Sequence, residues 1–533
     1  MNVSNLNYFA MNGRKLPIGI QDFEKLRTNG CLYVDKSAHI YRLTREYWPY
    51  FLARPRRFGK SLLLSTLKAY FLGKRELFEG LAIAGLEKEW LEYPVFHLDM
   101  NVESYLNIDS LYSALNTNLQ VLEERWGRNE SDKTPAARFT SVIRRACEQS
   151  GRKVVVLIDE YDKPLLGLKD DLKDVDDEMR KVLKGFYGVL KSADPYLRFV
   201  FLTGVTKFSR VTVFSDLNHL QDISLDKNYA GICGISQTEL TQCLAPEIHT
   251  LAAELGKTTN QTLDELKKRY DGYHFANKTE GMYNPFSLLK TFAAGELRNY
   301  WFATGTPTFL VRMLKNIDFD VRSLESDVKI SSNAISEYRA GSNDPTPLLY
   351  QTGYLTIKNY NELLDLYTLG FPNEEVKYGF LYELLPVYMQ KDNILSEFYV
   401  GNFIEDLHAR NIEGFMTRLK AFFADIPYDL NNKEEKHYQT VFYLLFKLMG
   451  QFVEAEQRSA FGRADAVVIT ANTVYAFEFK LTGNGTAEEA LRQISDKGYL
   501  IPYTAGNKKL VKIGAEFSAA ERGLNRWICT PAE

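Results

Sequence analysis

Charge of one sign is what this chain has least of. Its 65 Lys and Arg against 68 Asp and Glu leave a formal net charge of −3 over 533 residues. That balance excludes a basic nucleic-acid wrapper as the reading of the whole protein and leaves room only for a local basic groove. Cysteine is scarce too. The five thiols, at 31, 147, 233, 243 and 529, form no CxxC pair and no Cys/His metal framework. Their odd number argues for a reducing interior over a disulfide scaffold. No run reaches the ~18 apolar residues of a membrane span. The richest stretch, 440–453, is interrupted by Lys447 and reads as a core helix. The first seven residues lack a basic flank followed by an apolar block, so no secretory signal is expected. Repeats and low-complexity tracts are also missing, and the seven histidines have no ligand spacing. A cytoplasmic, soluble protein of several domains is the expectation.

Three textures are present. Over residues 1–230, short apolar runs alternate with amphipathic segments, the pattern of a parallel sheet covered by helices on both faces. The runs are Tyr50–Ala53, Val95–Leu98, Val154–Ile158 and Phe199–Leu202. Residues 231–375 are helical and aromatic without obvious strands, and read as a connector or lid region. They contain Tyr270-Asp271-Gly272-Tyr273 and Tyr283-Asn284-Pro285-Phe286, taken as packing motifs. Residues 376–533 open with helices. They continue with a strand pair at 465–480, a helix at about 486–498 and a final strand near 509–513. The fold class expected from these textures is α/β: a parallel sheet with helices, a helical connector and a C-terminal α/β domain; the motifs that follow make the first a P-loop NTPase (AAA-like) sheet and the last nuclease-like.

Between the strand at Tyr50–Ala53 and a helix from Ser61 to Phe71, with Leu62, Leu63, Leu67 and Tyr70 toward a core, lies Arg54-Pro55-Arg56-Arg57-Phe58-Gly59-Lys60-Ser61. Strand, loop and helix around Gly-Lys-Ser form a phosphate-binding context. Gly59 lets the backbone wrap closely, the helix N-terminus faces an anion, Lys60 reaches the β/γ-phosphates and Ser61 holds Mg²⁺. The first glycine of the usual pattern is replaced by Arg54, and three arginines crowd the loop. The run Val154–Ile158 delivers Asp159 and Glu160, the first suited to the Mg²⁺ shell and the second to polarising an attacking water. The run Phe199–Leu202 delivers Thr203 to the same sheet edge, where ligands of open α/β sheets collect.

These stretches resemble the bacterial AAA-ATPase-like family. The resemblance rests on Arg54–Ser61, on Leu157–Leu165 (Leu-Ile-Asp-Glu-Tyr-Asp-Lys-Pro-Leu) and on Leu202–Ser209. It extends to Val34–Ser37 and Phe214–Asn218, and covers most of the chain. It implies Lys60 and Ser61 as phosphate and Mg²⁺ residues, Asp159 and Glu160 as the acidic pair, and Thr203 as a sensor-like residue. The arginine-rich loop is itself typical of the family. No arginine finger is identified beyond Arg210 as a guess. Members commonly carry a C-terminal PD-(D/E)XK nuclease domain.

In the last region, Asp465 precedes an apolar strand, and Val474–Lys480 alternates. Val474, Ala476, Glu478 and Lys480 share one face, and Tyr475, Phe477 and Phe479 the other. A two-residue turn at Ala471-Asn472 pairs Ile469 with Val474 and, by count, sets Asp465 opposite Glu478. Two carboxylates with Cβ atoms about 4.5–5.5 Å apart repel unless a cation lies between them. Hard oxygen donors suit Mg²⁺ or Mn²⁺. Lys480 then orients water or neutralises the phosphorus centre. An acid followed by Glu-x-Lys is the PD-(D/E)XK signature. It is flanked by a helix striped with Tyr438, Val441, Phe442, Leu445 and Leu448, and by one carrying Ala487, Ala490, Leu491 and Ile494 inward. By resemblance, Gln493 lies near the active site. Glu454 and Glu456 are further acids of lower rank. The basic residues Lys508, Lys509 and Lys512 either flank the nuclease face or form a solvated surface.

The expected function is an ATP-binding AAA-like protein coupled to a metal-dependent nuclease, with nucleotide state gating cleavage of phosphodiester bonds. The alternative is a nucleotide-dependent switch or interaction protein with an inert nuclease fold. The catalytic candidates are Asp465, Glu478, Lys480 and Glu160. Gly59, Lys60, Ser61, Asp159 and Thr203 bind the cofactor, and Asp465, Glu478, Ser61 and Asp159 bind metal. ATP and Mg²⁺ (or Mn²⁺) are the cofactors. Nucleic acid, DNA in the first instance, is the partner, no membrane is involved, and a homo-oligomer is left open.

Overall fold

The computed structural model describes residues 10–11, 14–46, 48–166, 173–207, 220–302, 314, 324, 328–335, 344–389, 393–424, 434–450, 454–456, 466–483, 485–518 and 523–531. The chain divides into two compact units. One comprises residues 1–309 and 324–376, the other residues 310–323 and 377–533. The segments 1–230 and 231–302 thus share one unit.

The first unit is built on five strands: β1 (Pro49–Ala53), β2 (Val95–Asp99), β3 (Val154–Asp159), β4 (Leu197–Gly204) and the short β5 (Gln221–Asp222). Every pairing is parallel, in the order β2-β3-β4-β1-β5. The four apolar runs are its four long strands. Alternation gives each strand two faces. Phe51, Phe96, Leu98, Val156, Ile158 and Leu202 pack in one core with α2 (Ile108–Trp126), α3 (Pro135–Ser150) and α4 (Lys173–Ser192). The opposite face meets α1 (Lys60–Phe71), which buries Leu63, Leu64 and Leu67. Leu62 and Tyr70, expected to point inward, are only half-buried.

Residues 231–375 correct the expectation of a region without strands. Beside α5 (Pro285–Ala294) they carry β6 (Val328–Ser331), β7 (Thr356–Asn361) and β8 (Leu366–Gly370) in an antiparallel sheet, order β6-β8-β7. The reason is local. The segments at 356–361 and 366–370 hold β-branched and aromatic residues around a tight turn, where Asn361 Oδ1 accepts from the N–H groups of Leu363 and Leu364 at 3.0 and 3.1 Å.

α6 (Glu374–Met389) leads from the first unit into the second, followed by α7 (Ile412–Ala424) and α8 (Glu434–Met449). The expected one-sided stripe on α8 is also corrected. From Val441 to Met449 all but Phe442 and Lys447 are buried, so this part of the helix is enclosed nearly all round. The sheet of this unit is mixed: β9 (Glu454–Glu456), β10 (Ala466–Ile469), β11 (Thr473–Leu481), β12 (Lys509–Ser518) and β13 (Gly523–Pro531), in that order. The strand expected to be final, near 509–513, is thus followed by one more, β13. β11 and β12 run parallel, joined by a crossover through α9 (Ala487–Asp496).

One glycine sets how closely α9 can lie. Gly514, directly across from Glu478, has room for no side chain. A Cβ there would stand 2.3 Å from the carbonyl oxygen of Ala487 and 2.6 Å from the nitrogen of Leu491. Both obstacles are helix backbone. Gly514→Ala is therefore expected to destabilise the C-terminal unit by about 1–3 kcal/mol. Gly506→Ala, whose nearest obstacle is at 3.5 Å, serves as a control with little effect. Urea unfolding of both variants checks this; equal midpoints would refute the close-packing argument.

Candidate functional site

The phosphate loop follows β1, the strand between β4 and β5. Gly59 caps α1 with φ +92°, a left-handed conformation that a side chain would strain. Arg57 also lies at positive φ, +68°. Lys60 is buried, and its Nζ donates to the carbonyls of Arg54 and Pro55 at 3.0 and 3.2 Å, closing the loop on itself. Ser61 is half-buried one residue on.

Arg54 corrects the reading of a loop enriched in charge. It is 1% exposed and donates to the carbonyls of Ala53, Ser224 and Tyr229 at 2.9, 2.8 and 3.1 Å. Its guanidinium also stacks over the Phe275 ring at 4.1 Å. Where the common pattern has a flexible glycine, this chain uses a buried cation to hold the loop to the segment after β5. Phe58 adds a second anchor, edge-on to Tyr273 at 4.7 Å and Phe275 at 5.2 Å. The Tyr270–Tyr273 motif therefore does pack, and what it packs is the phosphate loop.

Parallel register aligns the other candidates. Asp159 neighbours Asp99 on one side, and Ile158 pairs with Leu202, which sets Thr203 on the other. Alternation turns Asp99, Asp159 and Thr203 to the α1 face, away from the core that takes Leu98, Ile158 and Leu202. Thr203 Oγ1 donates to Asp159 Oδ1 at 2.6 Å, and the Glu160 N–H donates to the same oxygen at 3.1 Å. Glu160 follows at φ +48°. Arg210 and the motif Phe214–Asn218 lie outside the described residues.

Two acids here escaped the sequence reading. Asp99 ends β2 beside Asp159, with its backbone bracketed by the Asn118 amide at 3.0 Å in both directions. The signal was available, since Val95–Leu98 was read as a parallel strand and Asp99 is its next residue. Asp162 is the other. Fully buried, it accepts from the N–H groups of Val205 and Thr206 at 3.0 and 2.6 Å and from Thr206 Oγ1 at 2.8 Å. Burial pushes its carboxyl up to about 6, against the pull of those bonds and of Lys60. An open cleft lies beside the loop, lined by Gly59, Leu62 and Leu63 together with Lys36, Ile232 and Leu289.

The second candidate site is on β11. Tyr475, Phe477 and Phe479 face an aromatic core, with Phe477 at 5.4 Å from Phe415 and Phe479 at 4.1 Å from Phe442. Val474 and Ala476, on the opposite face, pack with Ile494 and Tyr499. Glu478 follows on that face, 3% exposed, with Lys480 Nζ 3.4 Å from its Oε1. The Gln493 amide from α9 donates to Glu478 Oε1, and its own oxygen accepts from Lys480 Nζ at 2.6 Å. Tyr499 lies 3.2 Å from Gln493 Nε2. The hairpin pairs Ile469 with Val474 and continues to Ala466 with Phe477; Asp465 lies outside the described residues. β9 adds Glu454 and Glu456 across from Ile469 and Val467. Lys508 and Lys512 are engaged with the Thr470 carbonyl at 2.9 Å and Ser495 Oγ at 3.0 Å. The Glu478 carboxylate and the Gln493 amide are hard oxygen donors, which fit Mg²⁺ or Mn²⁺ better than a soft metal. Among the described residues no group of three or more His, Cys, Asp or Glu is gathered for a metal.

A phosphate loop on a five-stranded parallel sheet, joined to a mixed sheet bearing Glu-x-Lys, defines the class: an AAA-like P-loop fold with a nuclease-like fold at its C-terminal end. The family described as predicted AAA-ATPase matches residues 17–214, and the PD-(D/E)XK nuclease superfamily matches residues 433–527. The chain is also 37% identical over 524 residues to the "Uncharacterized protein in vnfD 5'region" of Azotobacter chroococcum mcd 1, covering 96% of this chain and 98% of that protein. The chain belongs to this bacterial family of AAA-ATPase-like proteins with a C-terminal PD-(D/E)XK nuclease superfamily domain. Among the described residues no helix is long and apolar enough to cross a membrane.

The buried carboxyl of Asp162 makes stability depend on pH. Its value rises from 3.8 to about 6 on folding, so between these the native state binds more protons than the unfolded chain. Its contribution is full below pH 3.8 and is lost as pH rises through 6. Asp162→Asn removes this titration. Relative to the variant, the wild type should lose on the order of 1–3 kcal/mol between pH 4 and 7. Parallel urea-midpoint curves for the two proteins would show that Asp162 does not titrate in this way.

Proposed function

We propose that the protein binds ATP with a divalent cation at the Gly59–Ser61 loop, and that its C-terminal domain is a metal-dependent nuclease whose action on nucleic acid, DNA in the first instance, is gated by nucleotide state. The observation that carries this reading is the Glu478–Lys480–Gln493 cluster. A buried carboxylate held by an ammonium and an amide, on a strand otherwise apolar, is costly to keep, and groups of that kind cluster at functional sites. Asp465, by the register counted from the turn, joins Glu478 in holding the cation. Such a cation activates water and stabilises charge on a phosphate under attack. Lys480 is held near that position by Gln493.

The nucleotide half is supported by the loop and its neighbours. Lys60 is poised to exchange its two carbonyl partners for phosphate oxygens. Ser61 and Asp159 hold Mg²⁺, Thr203 fixes one oxygen of Asp159, and Glu160 orients water. The cleft beside Gly59 gives the base an apolar berth. Cytoplasmic placement and ATP hydrolysis belong to the same proposal.

Two measurements check it. Lys60→Ala should weaken binding of a fluorescent ATP analogue roughly 10- to 100-fold, the worth of hydrogen bonds to a charged group; unchanged affinity would mark the loop as purely structural. With supercoiled plasmid and Mg²⁺ or Mn²⁺, the wild type should nick and EDTA should stop it. Asp465→Ala and Lys480→Ala should each slow nicking at least about 100-fold with unaltered folding. Cleavage at full rate in both variants removes the nuclease assignment, and intact plasmid under every condition favours the switch with an inert nuclease fold.

A further inference from the structure

The strained part of the phosphate loop is Arg56-Arg57, where Arg57 takes φ +68° without being glycine. Such a conformation persists only where surroundings hold it. Two contacts do so, and both come from residues 285–302. Trp301 Nε1 donates to the Arg56 carbonyl at 3.2 Å, and the Arg57 guanidinium lies 4.9 Å over the Phe286 ring.

One carboxylate ties these two supports together. Glu375, 1% exposed, accepts from the Trp301 backbone N–H at 2.8 Å and from Ser287 Oγ at 3.0 Å, next to Phe286. It sits in the first turn of α6. That turn is fastened to the first unit twice more. Asn373 caps it through the Val376 N–H at 3.1 Å while its amide donates to the Asp271 carbonyl at 2.8 Å, and Glu374 pairs with Lys268 at 2.9 Å. After Val376 the same helix belongs to the second unit.

We propose that Glu375 is a positioning residue of the phosphate loop, acting through Trp301, and that the helix it opens relays the loop's nucleotide state into the C-terminal unit. The inference rests on the reading that the loop binds nucleotide. Filling the loop moves Arg56 and Arg57, the Trp301 donor follows its carbonyl, and Glu375 transmits the change to the first turn of α6. Burial raises the Glu375 carboxyl to about 7, so the bonds to Trp301 and Ser287 are formed in a dry setting where they are strong.

The test uses the full chain and Mg-ATP, with hydrogen exchange read over residues 377–386 and nucleotide affinity measured in parallel. Saturating Mg-ATP should change exchange in that segment about fivefold or more, the lower end of an allosteric coupling. Trp301→Phe removes the donor to Arg56 and keeps a ring beside Phe302 and Tyr354. It should keep α6 folded, bind nucleotide more weakly and, once saturated, lose the exchange response. Glu375→Gln, which keeps an acceptor, should retain most of the response, whereas Glu375→Ala should lose it. If the alanine variant fails to fold, the other two decide. Nucleotide binding with no change in 377–386, or a full response in Trp301→Phe, overturns the relay while leaving the ATP reading standing. A wild-type chain that binds no nucleotide overturns both.

Discussion

Side-chain alternation along strands of fixed register is the constraint on which both candidate sites depend. In the first unit it turns Asp99, Asp159 and Thr203 to the face where α1 begins, while their neighbours Leu98, Ile158 and Leu202 fill the opposite core. In the second it sends Phe477 and Phe479 into an aromatic cluster and leaves Glu478 and Lys480 on the other side. A slip of one residue in either sheet would exchange polar for apolar at its strand ends and erase the site that sheet carries.

Backbone geometry alone would leave each site loose, and buried polar groups take up that task. Arg54 spends its charge on three carbonyls and a ring, so the loop after β1 is fixed from behind. Asp162 gathers Val205 and Thr206, holding the chain just after Thr203. Gln493 does the corresponding work in the second unit, bonding Glu478 and Lys480 at once, and Gly514 lets its helix approach closely enough to do so. Each is costly to bury without partners and effective with them, which is why partners are found at each.

The two ends of this chain match different family models, and the Azotobacter relative aligns with almost the whole length. Glu375 is of interest in that light because it is bonded to the support of the phosphate loop and begins the helix that enters the other unit. Residues 231–375, expected as connector and packing, also support the phosphate loop, through Tyr273 and Phe275 on Phe58 and Trp301 on Arg56.

What could be read without the fold follows short-range rules. The four apolar runs were strands because continuous apolar segments of that length bury both faces, and Gly59-Lys60-Ser61 was a loop-to-helix junction because only glycine tolerates that turn cheaply. The alternation of Val474–Lys480 was visible for the same reason. Tertiary structure alone decided the rest, where partners are far apart in sequence. Arg54 looked like loop charge until segments near 224 and 275 closed over it, and Asp99 became a neighbour of Asp159 only through parallel pairing. Glu375 acquired its role from Ser287 and Trp301, which lie 88 and 74 residues away. Local pattern specifies which way a side chain points, but which distant groups it meets is settled by how the chain packs.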